Sequence, residues 1–180
     1  MRFRDLPPFG ATVIEPEPHA DARGMFARLF DAEAFRARGL PTEFVQASTS
    51  YNGKSGTLRG LHYQAPPYVE TKLVRCTAGA IFDVIVDVRP ASPSYGRWQS
   101  VELTAENRLA LVVPAGFAHG FETLADGTEI FYQMTHPQAP GAERGIVWND
   151  PDLAIAWPLP PAIMSERDRT LPRLRATASA

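Results

Sequence analysis

Short runs of alternating apolar and polar side chains fill most of this chain, with turn signals between them. A period of two marks half-buried strands, because successive side chains on a strand point to opposite faces. The pattern predicts strands at Phe44–Ser50, Thr57–Gln64, Lys72–Cys76, Ala80–Val88, Trp98–Leu103, Leu109–Val113, His119–Thr123 and Glu129–Met134. Asn52-Gly53, Ala65-Pro66-Pro67, Ala78-Gly79 and Ala125-Asp126-Gly127 supply turns between them. Upstream, Ala11–Ile14 reads as a first strand and 15–19 as a loop. Met25–Phe30 reads as a half-buried strand after the turn Asp21–Gly24. Helical signals are confined to 31–38, where Asp31 can cap a short helix that Gly39 and Pro41 then stop. Many short strands at regular spacing predict an all-β fold, a jelly-roll barrel or sandwich with a few short helices. The 17 prolines agree, since proline is confined to loops and strand edges. No internal repeat or linker divides the chain, so it reads as one domain over 1–180, with 171–180 a frayed tail.

Composition narrows the function classes. A chain of 180 residues can bury a sizeable core without staples. Its formal charge of −2 gives no reason to expect a nucleic acid or an anionic membrane as partner. The one cysteine, Cys76, excludes an internal disulfide framework and suits a reducing cytoplasm. Its apolar surroundings, Leu73 and Val74, point to a buried inert thiol rather than a nucleophile. The start, Met1–Pro8, has no long apolar h-region and no run reaches a membrane-spanning length, so the expectation is a soluble, cytoplasmic protein.

The stretch Gly56-Thr57-Leu58-Arg59-Gly60-Leu61-His62-Tyr63-Gln64 is the first candidate for chemistry. On a regular strand Arg59 and His62 point to opposite faces; a bulge at Gly60 would bring them to one side. A titratable base beside a permanent cation suits an anionic or carbonyl substrate. A core histidine next to a surface charge is the alternative, and this stretch alone leaves both open. A second histidine, His119, follows the turn Pro114-Ala115-Gly116. The strand around Glu129 and Tyr132 and the charged knot Ser165–Arg169 complete the candidates. The two histidine segments resemble the halves of the cupin signature, whose barrel suits the strand count. A metal cupin would use His62, Gln64, Glu70 and His119, but an amide is a much poorer ligand for a transition metal than imidazole. The expectation is therefore a site without metal, with a metal-dependent oxygenase or isomerase and a catalytically silent binding protein on the same barrel as alternatives.

A closer resemblance is carried by motifs in register. They are Arg23-Gly24-x-Phe26, Phe44-Val45-Gln46, Gly56–Gln64, Lys72–Cys76, Val113-Pro114-x-Gly116-Phe117-Ala118-His119-Gly120-Phe121, Glu129-x-x-Tyr132, Trp148-Asn149-Asp150-Pro151 and Ser165-x-Arg167-Asp168. Together, from about residue 12 to residue 170, they resemble the dTDP-4-dehydrorhamnose 3,5-epimerase family. The resemblance implies a cupin-type jelly roll, a homodimer, no metal or other cofactor, and a nucleotide-linked 4-keto-6-deoxyhexose as substrate. The reaction it implies is inversion at C3 and C5, or at C3 alone, by way of an enolate. It implies His62 as base with Asp168 behind it, Tyr132 as proton donor on the far face, and Lys72 at the C4 oxygen. Arg59 and His119 would flank the sugar or diphosphate. Arg23, Phe26, Gln46, Ser48, Glu143 and Arg167 fall at positions that hold the substrate. Three positions depart from the family pattern, all on recognition: Gln138 where a tyrosine stacks on thymine, Arg28 in place of glutamate, and Ser48 in place of asparagine.

Overall fold

A computed structural model describes residues 1–177. Strands in chain order are β1 (Arg2–Leu6), β2 (Ala11–Glu15), β3 (His19–Asp21), β4 (Gly24–Phe26), β5 (Gln46–Asn52), β6 (Leu58–Gln64) and β7 (Lys72–Ala78). They continue with β8 (Ala80–Asp87), β9 (Trp98–Thr104), β10 (Ala110–Val113), β11 (Phe117–Thr123), β12 (Thr128–Met134) and β13 (Glu143–Gly145). Short helices lie at α1 (Ala32–Ala37), α2 (Glu166–Arg169) and α3 (Leu174–Thr177). A six-stranded sheet, β1-β2-β10-β7-β12-β5, faces a five-stranded one, β13-β6-β11-β8-β9, and β3-β4 forms a separate hairpin. The predicted jelly-roll sandwich is the observed architecture.

Its core lies between the sheets. Val13, Val74, Leu111 and Ile130 from the first meet Ile81, Ile85, Leu103 and Phe121 from the second. β8 reads as a nearly continuous apolar run because it is buried on both faces. Ile81 and Ile85 point into the sandwich, while Val84 and Val86 point out into a second apolar layer with Leu61, Ile146 and Leu153. That outer layer is roofed by the segment after β13, pinned where the Trp98 indole N–H donates to the Leu153 carbonyl at 2.8 Å. On the far side of the other sheet, Phe35 of α1 is fully buried against Ile14 and Leu73.

One edge of the sandwich is built differently. Neither β5 nor β6 contributes a side chain to the inter-sheet core. The inward row of β5 is Gln46, Ser48, Ser50 and Asn52, while Ala47, Thr49 and Tyr51 face solvent. An inward row without apolar residues cannot fill a core, and a cavity opens there.

Several expectations need correction. The strand expected over 25–30 ends at Phe26; Phe30 instead folds back so that its ring packs edge-on against Phe35 (4.8 Å) and Phe44 (5.9 Å). β1 and the three-residue β3 and β13 escape the periodicity reading because their side chains are largely polar and partly exposed. Within the tail expected to fray over 171–180, Leu174 is buried and its N–H donates to Asp150 at 2.7 Å; 178–180 lie outside the described residues. Cys76 is buried as expected, and burial pushes its thiol up to about 11. Among the described residues, no helix is long and apolar enough to cross a membrane.

Candidate active site

The bulge expected at Gly60 is present and sets the site's geometry. His62 pairs with His119 and Arg59 with Phe121, so two residues of β6 stand opposite the single Gly120 of β11. The extra residue reverses the alternation, and Arg59 and His62 both reach the same cavity, of about 480 Å³. Leu61 turns outward instead, fully buried in the outer apolar layer. Only glycine fits at this crossing. Gly60 has φ +126°, and a Cβ there would stand 2.5 Å from the Gly120 Cα and 2.9 Å from the His119 carbonyl oxygen. A Cβ on Gly120 would meet the Arg59 carbonyl at 2.7 Å. Gly60→Ala is therefore expected to destabilise the fold by roughly 2–5 kcal/mol and to cost activity beyond the loss of folded protein. Urea unfolding alongside assays at matched folded fraction checks this; a variant of wild-type activity would contradict the bulge as the positioning device.

His62 faces Asp168 across a separation of 106 residues, with Nε2 2.7 Å from Oδ1. Asp168 comes from α2, whose first turn is capped by Ser165, the acceptor for the Asp168 N–H at 3.1 Å. The other carboxylate oxygen accepts the Gly60 N–H at 3.3 Å, tying the acid to the bulge. Burial alone would raise the Asp168 carboxyl, but hydrogen bonds from His62, Gly60 and Ser165 outweigh it and hold it below its ordinary value. An ionised Asp168 accepts a hydrogen bond from the Nε2–H of the imidazole, which leaves Nδ1 with the free lone pair.

The opposite wall belongs to the other sheet. Tyr132 of β12 and Lys72 of β7 share its inner face as diagonal neighbours, since Tyr132 pairs with Val74 and Lys72 with Met134. Both line the 480 Å³ cavity and a smaller adjoining one of about 210 Å³. Lys72 Nζ is 3.1 Å from Glu70 Oε1, both side chains largely buried. A basic imidazole on one sheet thus faces a phenol and an ammonium on the other.

His119 is held in the same way as His62, with Nε2 2.8 Å from Asp83 Oδ2. Sequence reasoning missed Asp83. Its signal was a carboxylate at an inward position of the apolar run Ile81–Val86, where an unpaired charge would be costly. The Arg59 guanidinium is set by Asn52, whose Oδ1 accepts from Nε at 2.7 Å. The outer cavity is polar: Gln46 Oε1 accepts the Gln138 N–H at 3.0 Å, the Gln138 amide reaches Glu143, and Glu143 pairs with Arg167 at 2.6 Å. Ser48 lines it as well. Arg23, Phe26 and Arg28 are not brought to this cleft within the chain. Arg23 pairs with Asp21 of its own hairpin, Phe26 is 67% exposed, and Arg28 pairs with Asp31.

The alternative metal set is not assembled. Gln64 gives its amide hydrogens to the Tyr68 and Pro137 carbonyls and accepts the Ala139 N–H at 2.6 Å, which consumes the side chain. Glu70 is held by Lys72, and each histidine turns Nε2 to an aspartate. Among the described residues, no three His, Cys, Asp or Glu side chains are grouped to hold an ion.

Residues 7–176 match the family model described as dTDP-4-dehydrorhamnose 3,5-epimerase. The chain belongs to that family. A dTDP-4-dehydrorhamnose 3,5-epimerase of Sinorhizobium fredii (strain NBRC 101917 / NGR234) is 45% identical over 175 residues, covering 97% of this chain and 90% of the relative. A crystal structure of the Bacillus anthracis family member with TDP and pyrophosphate bound has a TM-score of 0.92 at 39% identity, covering 96% of this chain and 98% of that one. ChmJ of Streptomyces bikiniensis, a 3′-monoepimerase in complex with dTDP-quinovose, has a TM-score of 0.89 at 37% identity, covering 97% and 87%. The family's double and single epimerases therefore share this fold, and the cleft's chemistry must be read from its residues.

Proposed function

We propose that this protein is an isomerase that inverts C3 and C5 of a dTDP-linked 4-keto-6-deoxyhexose, in the formation of dTDP-rhamnose for cell-surface polysaccharide. The observation that carries this reading is the His62–Asp168 pair on one wall of a cleft whose other wall presents Tyr132 and Lys72. His62 Nδ1 removes the proton from the carbon next to the C4 ketone, and the C–H electron pair moves onto the ketone oxygen. The Lys72 ammonium stabilises the enolate formed there. Tyr132 returns a proton to the opposite face, the carbonyl re-forms, and the carbon is inverted. One proton leaves and one returns, so the step balances without an electron carrier. Arg59 and His119 hold the sugar and diphosphate. Gln46, Ser48, Gln138, Glu143 and Arg167 take the nucleotide end.

Arg23, Phe26 and Arg28 act in this reading from the hairpin of a second copy, in a homodimer. The support is that β3-β4 carries Met25 (45% exposed) and Phe26 out of the fold, while the outer row of edge strand β5 leaves Tyr51 65% exposed. One alternative is inversion at C3 alone, the activity of the structurally similar 3′-monoepimerase ChmJ.

Incubation with dTDP-4-keto-6-deoxyglucose in D2O, read by NMR, tests the reading. Deuterium is expected at both C3 and C5; uptake at C3 alone selects the alternative. No uptake at either carbon, with other nucleotides also inert, rules out the activity.

A further inference from the structure

Glu70 has no role in the mechanism above, yet it sits in the wall of the same cleft, beside Tyr132, Gln138 and Arg167. Its Oε1 lies 3.1 Å from Lys72 Nζ, and the Lys72 and Glu70 side chains are 13% and 6% exposed. Its Oε2 is buried with no hydrogen-bond partner among the described residues. Glu122 and Asp83 likewise leave one buried oxygen unpaired, Oε1 and Oδ1 respectively, whereas Asp87 fills both. Asp87, fully buried at the end of β8, has both oxygens engaged by Arg89 and one of them also by Ser92 and Ser94, at 2.5–2.9 Å. A buried carboxylate oxygen left unpaired is costly, so what the paired oxygen holds matters. In Glu70 the paired oxygen holds a lysine that lines both cavities.

We propose that Glu70 is a positioning residue for Lys72. The lysine side chain is a point charge on a flexible four-carbon stem, and nothing in its own geometry fixes where the ammonium stands. The Glu70 carboxylate fixes it at the cleft wall beside Tyr132, so that the charge is in place when the enolate oxygen develops. The inference rests on the epimerase reading and on the role of Lys72 within it.

The test compares Glu70→Ala and Glu70→Gln, each alone and in a Lys72→Met background. Deuterium uptake into dTDP-4-keto-6-deoxyglucose gives kcat, dTDP titration gives Kd, and thermal unfolding monitors the fold. Glu70→Ala is expected to lower kcat about tenfold or more with Kd for dTDP unchanged. Glu70→Gln, whose amide oxygen still accepts from the ammonium, should recover part of that loss. In the Lys72→Met background, Glu70→Ala should cost nothing further, because the two residues act as one unit. An unchanged kcat in Glu70→Ala, or an equal loss in both backgrounds, overturns the inference while leaving the epimerase reading intact. Wild-type protein without exchange overturns that reading and this inference with it.

Discussion

Replacing His62 with alanine is expected to lower turnover about 10²–10⁴-fold, the range that a positioned general base contributes. The substitution should leave the fold standing. His62 is 38% exposed at the side chain, and its removal opens no apolar cavity. It does strand Asp168, which is 4% exposed and would keep only its backbone and Ser165 contacts. Asp168→Asn should therefore also be slow, because an amide turned towards Nε2 no longer selects the tautomer that leaves Nδ1 basic. The pH dependence follows from the direction of the Asp168 shift. Its folded value lies below the ordinary 3.8, so the pairing contributes stability above that value and loses it as the pH falls through the folded one. Activity of wild-type protein held at neutral pH is thus independent of Asp168 titration, and Asp168→Asn should remove stability at neutral pH but little in strong acid. Urea unfolding at both pH values, with steady-state turnover, checks these outcomes. A His62→Ala enzyme within tenfold of wild type would remove His62 as the base.

Tyr132→Phe carries the second large effect, and it differs in kind. The phenol stands on the six-stranded sheet and the imidazole on the five-stranded one, so loss of the phenol leaves the base in place. Proton removal should persist while delivery to the far face fails. The ring itself packs partly buried against the inter-sheet core, and phenylalanine preserves that contact.

How much of this was legible in the chain varies with the physics. The alternation of apolar and polar side chains gave the sandwich strands, because burial on one face imposes a period of two. It failed at β1, β3 and β13, which are short and carry polar side chains at partly exposed edges. The bulge at Gly60 was readable from a glycine inside a strand pattern, and the need for it to meet Gly120 was not, since that contact joins residues from different strands. Asp168 could be joined to His62 only through the family resemblance, because the two lie 106 positions apart in the chain. Asp83 was hidden by its apolar neighbours, and Glu70 was weighed as a metal ligand when its partner is Lys72. Arg23, Phe26 and Arg28 mark a different limit. Their motif was visible, and a single chain does not bring them to the cleft.

The most direct measurement follows both mass and configuration in one experiment. Wild-type protein and Tyr132→Phe are given dTDP-4-keto-6-deoxyglucose in D2O, and the recovered sugar is resolved by NMR at C3 and C5. With base and donor on opposite walls, wild type should give inverted, deuterated product. Tyr132→Phe should return sugar that has taken up deuterium with its starting configuration. Inversion at the wild-type rate in Tyr132→Phe would contradict the two-wall arrangement.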